Sequence, residues 1–164
     1  GGDICFPGGG FEIGVDKSFK DTALRETFEE LGIQKKDIKV LGQLDTYVAP
    51  IGAIIESFVA KVKKKAYKKM NIDFNEVEKT LLIPLSLFKE HDAEEYTLAQ
   101  EIQPYKINEN GEKEIFFPVE ELGLPDAYKK PWGNKRHKVW VYKYEGEVIW
   151  GITSVIIKDL LEKY

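Results

Sequence analysis

The sequence predicts a mixed α/β (α+β) fold. Two observations carry this: strand-like runs recur along the chain, and two segments have apolar residues at helical spacing, near residues 19–31 and at the C-terminal end. A third bounds the size. At 164 residues with a 43% hydrophobic share and 20 aromatic side chains, the chain can bury the core of one domain, 1–164.

Residues 3–6 read as the tail of a strand entering the Pro7-Gly8-Gly9-Gly10 turn. Ser18 followed by Asp21 has capping-box spacing, and Gly32 stands where a helix C-cap is expected, so a helix is predicted over 19–31. Positions three and four apart share a helix face. Glu26, Glu29 and Glu30 therefore converge on one patch, with Leu24, Phe28 and Leu31 forming a core-facing stripe opposite. Three crowded carboxylates repel one another, and a divalent cation is the simplest relief of that repulsion.

Strands are predicted over 38–44 and 53–62, separated by a turn at Ala49-Pro50-Ile51-Gly52. The basic run 61–69 reads as a solvated strand end and loop. Another strand is predicted over 76–85, then a helical turn at 85–90. Asn108-Glu109-Asn110-Gly111 is a hairpin signal within 103–118. A Pro/Gly-rich loop covers 118–133, and two strands joined by a Glu-Gly turn lie within 137–150. The closing helix carries Ile152, Val155, Ile156 and Leu160 at helical spacing.

Charge and composition exclude several classes. A net charge of −4 provides no global basic field for nucleic acid. No apolar run reaches the roughly 20 residues needed to cross a bilayer. The single Cys5 excludes an internal disulfide, reads as a small buried hydrophobe, and suits a reducing cytoplasm. His91 and His137 have no ligand partner at useful spacing and read as surface residues. Trp132, Trp140 and Trp150 read as packing residues. The alternative for Trp132, with Lys135, Arg136 and Lys138, is contact with an adenine and a phosphate.

The segment Arg25–Ile33, RETFEELGI, closely resembles the second half of the Nudix box, R-E-U-x-E-E-x-G-U with U apolar, except that Thr27 replaces one U. In the first half the distance from Gly9 to Arg25 is two residues longer than the family pattern, and Glu12 and Asp16 are both candidates for its acidic residue. Gly2-x3-Phe6-Pro7-Gly8-Gly9 resembles the tail of a motif of coenzyme A diphosphatase-like Nudix proteins, as do LGQLDTYVAP at 41–50 and IWGITS at 149–154. The upstream part of that motif, L-L-T-x-R-S, is absent. Nudix domains also have strands before this turn, so the chain is expected to lack N-terminal strands upstream of Gly1.

The resemblance implies an α/β/α sandwich with a mixed sheet and Mg²⁺ or Mn²⁺ held by Glu26, Glu29 and Glu30, with Gly8 contributing backbone. It implies that Glu29 acts in catalysis and that Arg25 orients a neighbouring carboxylate. A further glutamate from a later loop acts as base. Glu76 and Glu78 both occupy such a place, and Glu78 is the choice. The implied activity is metal-dependent hydrolysis of a small nucleoside diphosphate derivative. Coenzyme A or a CoA derivative is the first expectation, giving 4′-phosphopantetheine and an adenosine bisphosphate; an ADP-ribose or NADH substrate is the second. A Nudix-fold binding module without turnover is the third reading. No nucleic-acid or membrane partner is expected, and a homodimer is compatible with the pattern.

Overall fold

The structure, a computed structural model, describes residues 2–50 and 52–164; Ile51 of the predicted 49–52 turn and Gly1 lie outside them. Helix α1, Phe19–Leu31, forms as its capping residues dictate. Ser18 accepts a hydrogen bond from the Asp21 N–H at 3.2 Å, and Gly32 at φ 67° donates its N–H to the Phe28 carbonyl. Strand β1, Ile38–Gln43, follows a 3₁₀ turn at Lys35–Asp37. The predicted strand 53–62 is interrupted. Its first part, β3 (Ile54–Ile55), pairs antiparallel with β2 (Tyr47–Val48), and its second, β4 (Phe58–Val62), pairs antiparallel with β1. The β1–β4 register shifts between Val40 and Gly42.

The basic run is a loop only in part, because Lys64–Tyr67 closes into helix α2. The predicted strand 76–85 does not form. Asp73 starts a turn in which Glu76 and Val77 donate to its carbonyl, and the chain then runs without ladder pairing to Pro84. Helix α3, Leu85–Glu90, lies where the helical turn was expected. Strand β5, Glu94–Ile102, is exposed at every position, so it carried no burial pattern to read. The hairpin forms as predicted: β6, Tyr105–Ile107, pairs with β7, Lys113–Ile115, around Asn108–Gly111. Strand β8, Trp132–Tyr144, starts inside the predicted loop and pairs antiparallel with β9, Glu147–Ile149. It is the middle strand in the order β5-β8-β9. Helix α4, Gly151–Lys163, closes the chain. The α/β class is as expected, and the four described registers are all antiparallel.

The chain divides into two compact units, Gly1–Glu94 with Trp140–Tyr164, and Glu95–Val139. In the first, Tyr142, Ile149 and Ile157 form the core, packed by Ile4, Ile83, Phe88, Ala93, Tyr144 and Leu161. Burial on α4 falls on Thr153, Ser154 and Ile157, one residue round from the predicted apolar stripe, where Ile152 is exposed. Residues 3–6 are not a strand. They are tied to α4 instead, by Thr153 Oγ1 donating to the Ile4 carbonyl at 2.9 Å and by the Trp150 indole N–H donating to Asp3. This leaves Cys5 exposed rather than buried, its thiol pushed up by desolvation and by the charges of Glu30 and Asp3. In the second unit Trp132 packs edge-on against Tyr128, with centroids 5.4 Å apart, and Lys138 pairs with Glu95. His137 Nε2 meets Gln100 at 2.9 Å. Among the described residues no helix is long and apolar enough to cross a membrane.

Candidate active site

Arg25 lies near the middle of α1 and gathers the loop that precedes the helix. One edge of its guanidinium grips both oxygens of Asp16, Nε to Oδ1 and Nη2 to Oδ2, each at 3.1 Å. Nη2 also donates to the Gly10 carbonyl at 3.0 Å, and Nη1 meets Glu26 at 2.9 Å and Glu29 at 2.7 Å. Glu12 stands further off, at 3.5 Å. Asp16 is buried and also accepts from the Glu12 N–H and the Thr22 hydroxyl, each at 2.9 Å. Planar, two-pronged recognition of this kind requires a guanidinium. Of the two acidic candidates in the loop, the structure gives Asp16 the paired contact. The spacing alone left this open, because the loop's path decides it.

The glycine turn sits directly against the carboxylates. A Cβ added to Gly9 would stand 2.5 Å from Glu26 Cδ and 2.7 Å from Oε2, with Oε1 closer still. The lack of a side chain at Gly9 leaves room for the Glu26 carboxylate where it stands. The Gly8 N–H donates to Glu30 Oε1 at 3.2 Å, so Gly8 reaches the site through its N–H. Glu29 is turned toward Arg25 and its side chain is half exposed. Phe28, expected in the buried stripe, is 52% exposed. It borders a surface groove with Val15, Leu24 and Lys35, and only Leu24 and Thr22 of α1 are buried.

A distant segment, the one that carries Glu76, docks on the C-terminal end of α1. The Asn71 N–H donates to the Leu31 carbonyl and the Asp73 N–H to the Glu30 carbonyl, at 3.1 and 2.9 Å. These bonds satisfy carbonyls that a helix end leaves open. The turn that follows carries Glu76 to where its charge acts on Glu30. The Glu30 carboxyl is held above the usual range, first by desolvation and then by Glu26 and Glu76, against the lowering effect of the Gly8 N–H. Glu78 acts instead on Lys79, which pairs with Glu147. Sequence reasoning missed Asn71 and Asp73, because backbone capping by a remote segment leaves no motif.

Among the described residues no three His, Cys, Asp or Glu side chains form a ready-made metal-holding group. The donor chemistry nevertheless fits a hard divalent cation. Glu30 makes no ion pair among the described residues, and two further carboxylates act on it. A cation would relieve that repulsion. Glu26 and Glu30 would hold it, with Glu29 released from Arg25 as a third donor.

The Arg25–Asp16 grip has a pH signature. Arg25 holds the Asp16 carboxyl down at about 2, against an ordinary 3.8. A depressed acid stabilises the fold above its unfolded value, and that contribution disappears as pH falls through the folded one. The urea-unfolding midpoint should therefore fall between pH 4 and pH 2 more steeply for the unaltered protein than for Asp16→Asn. Parallel curves would contradict the assignment.

A family model described as "NUDIX domain" matches residues 1–142. The chain is 37% identical over 90 residues to "Peroxisomal coenzyme A diphosphatase ndx-8" of Caenorhabditis elegans, covering 54% of this chain and 38% of the worm protein. It is 33% identical over 87 residues to "Peroxisomal coenzyme A diphosphatase NUDT7" of Mus musculus, covering 53% of this chain and 36% of that one. Over 164 residues it is 28% identical to "Uncharacterized Nudix hydrolase NudL" of Photorhabdus laumondii, covering 99% of this chain and 68% of that protein. The chain thus spans well under half the length of the two animal relatives.

Proposed function

The chain belongs to the NUDIX domain family of hydrolases, and from that premise we propose a metal-dependent pyrophosphatase that cleaves the diphosphate of coenzyme A or a CoA derivative. The observation that carries the reading is Glu30: a partly desolvated carboxylate, oriented by the Gly8 N–H, without an ion-pair partner among the described residues and pressed by Glu26 and Glu76. The CoA assignment is supported by the names of the worm and mouse relatives and by Gly2-x3-Phe6-Pro7-Gly8-Gly9. Residues 1–164 are taken as one catalytic domain. The lone exposed thiol suits the cytoplasm, while the two animal relatives are named peroxisomal.

Mg²⁺ or Mn²⁺, when bound, neutralises the charge clustered on a diphosphate and lowers the pKa of a water. The chain's part is to present oxygens and move a proton. Glu26, Glu29 and Glu30 supply hard oxygen donors, and Arg25 fixes the helix face that bears them. Glu76 strengthens cation binding at Glu30 through its charge, and it accepts the proton of the attacking water. Glu76 replaces Glu78 in that role because it is the carboxylate whose charge reaches Glu30.

The test is a substrate panel of CoA, ADP-ribose and NADH with Mg²⁺ or Mn²⁺. The expected result is release of 4′-phosphopantetheine and adenosine bisphosphate from CoA, with the highest kcat/KM of the three. A preference for ADP-ribose above about tenfold, 1.4 kcal/mol in transition-state stabilisation, moves the substrate class.

A further inference from the structure

The segment that carries Glu76 is joined through backbone to the Glu30 end of α1, although the two lie far apart in sequence. Asn71 and Asp73 donate to consecutive carbonyls of α1, Leu31 and Glu30. The join is close: a Cβ on Gly32 would lie 3.0 Å from the Asn71 carbonyl oxygen and from its Cβ. The segment therefore has little room to slide along the helix end. Asp73 then does two things at once. Its N–H is fixed to the peptide of Glu30, and its carbonyl accepts from Glu76 at 3.1 Å and Val77 at 2.9 Å. Its side chain closes the same turn: Oδ1 accepts from the Asn75 N–H at 3.0 Å and from Asn75 Nδ2 at 2.8 Å. An Asx turn of this kind holds the backbone conformation of the residues that follow.

We propose that Asp73 is a positioning residue for the Glu30–Glu76 pair, its Oδ1 closing the turn that aims Glu76 at the carboxylate whose peptide Asp73 caps. The proposal rests on the reading of Glu30 and Glu76 as a cation and proton-transfer site, and it adds a residue outside the family box. What the role requires of Asp73 is an acceptor oxygen, not a charge. Asparagine supplies the same oxygen and alanine does not, which separates positioning from electrostatics.

The experiment measures Mn²⁺ affinity by calorimetry, and amide exchange of residues 74–77 without metal, in Asp73→Ala, Asp73→Asn, Glu76→Gln and the Asp73→Ala/Glu76→Gln double variant. Asp73→Ala should weaken Mn²⁺ about tenfold, the lower end for loss of an outer-shell group of a metal site, and should speed exchange in the turn. Asp73→Asn should restore both. In the Glu76→Gln background Asp73→Ala should cost no further affinity, since residues acting through one another couple in a double-mutant cycle. Unchanged Mn²⁺ affinity in Asp73→Ala overturns the proposal and leaves a structural turn. So does an Asp73→Asn variant as impaired as Asp73→Ala, or an undiminished loss in the double variant. If the unaltered protein binds no Mn²⁺ at all, the metal reading falls, and this proposal falls with it.

Discussion

Glu30→Gln is expected to lower kcat about 10²–10³-fold while the unfolding midpoint stays the same or rises. The two halves of that expectation come from the same geometry. Glutamine keeps an oxygen that can accept from the Gly8 N–H, so the glycine turn and helix stay in register. It removes a charge that is partly desolvated and repelled by Glu26 and Glu76. A carboxyl raised above its ordinary value is one that folding disfavours in its charged form, so its neutral replacement does not weaken the fold. The proposed activity depends on that charge. A bound cation is worth several kcal/mol of charge stabilisation in the transition state, and each 1.36 kcal/mol is tenfold in rate. Steady-state kinetics and thermal unfolding on one preparation check both halves. An active Glu30→Gln enzyme contradicts the site.

Glu76→Gln should lower kcat by about 10²–10⁴-fold, the range for loss of a general base. Glu78→Gln should change it little. The two glutamates are two residues apart; Glu76 lies in the turn begun at Asp73, and its charge is the one that acts on Glu30. Glu78 lies beyond the turn, where its charge acts on Lys79. Side-by-side kinetics decide between them, and the reverse order would return the role to Glu78.

What was legible in the sequence was local. Ser18, Asp21 and Gly32 announce α1 because caps act within one turn of the residues they serve. Asn108–Gly111 announces its hairpin for the same reason. The glutamates at 26, 29 and 30 share a helix face by spacing alone. What was not legible depends on distant segments. Residues 76–85 are apolar enough to read as a strand, but Asp73 folds the start into a turn, and among the described residues no partner strand pairs with the remainder. The choice between Glu12 and Asp16 depends on the path of the loop, which brings Asp16 against the Arg25 guanidinium and leaves Glu12 further off. Phe28 occupies a core-facing position by periodicity, yet α1 buries only Leu24 and Thr22. Cys5, small and next to the glycine turn, reads as buried, yet residues 3–6 are tied to α4 through Asp3 and Ile4 and the cysteine stays exposed.

The central claim is that the carboxylates beside the glycine turn support metal-dependent cleavage of a diphosphate. It is tested most directly by incubating the purified protein with CoA and Mn²⁺ or Mg²⁺, with and without a chelator, and identifying the products by mass. The account predicts 4′-phosphopantetheine and adenosine bisphosphate in the presence of metal and none when the chelator is added. No cleavage of CoA, ADP-ribose or NADH with either metal would contradict it and leave a Nudix-fold binding module.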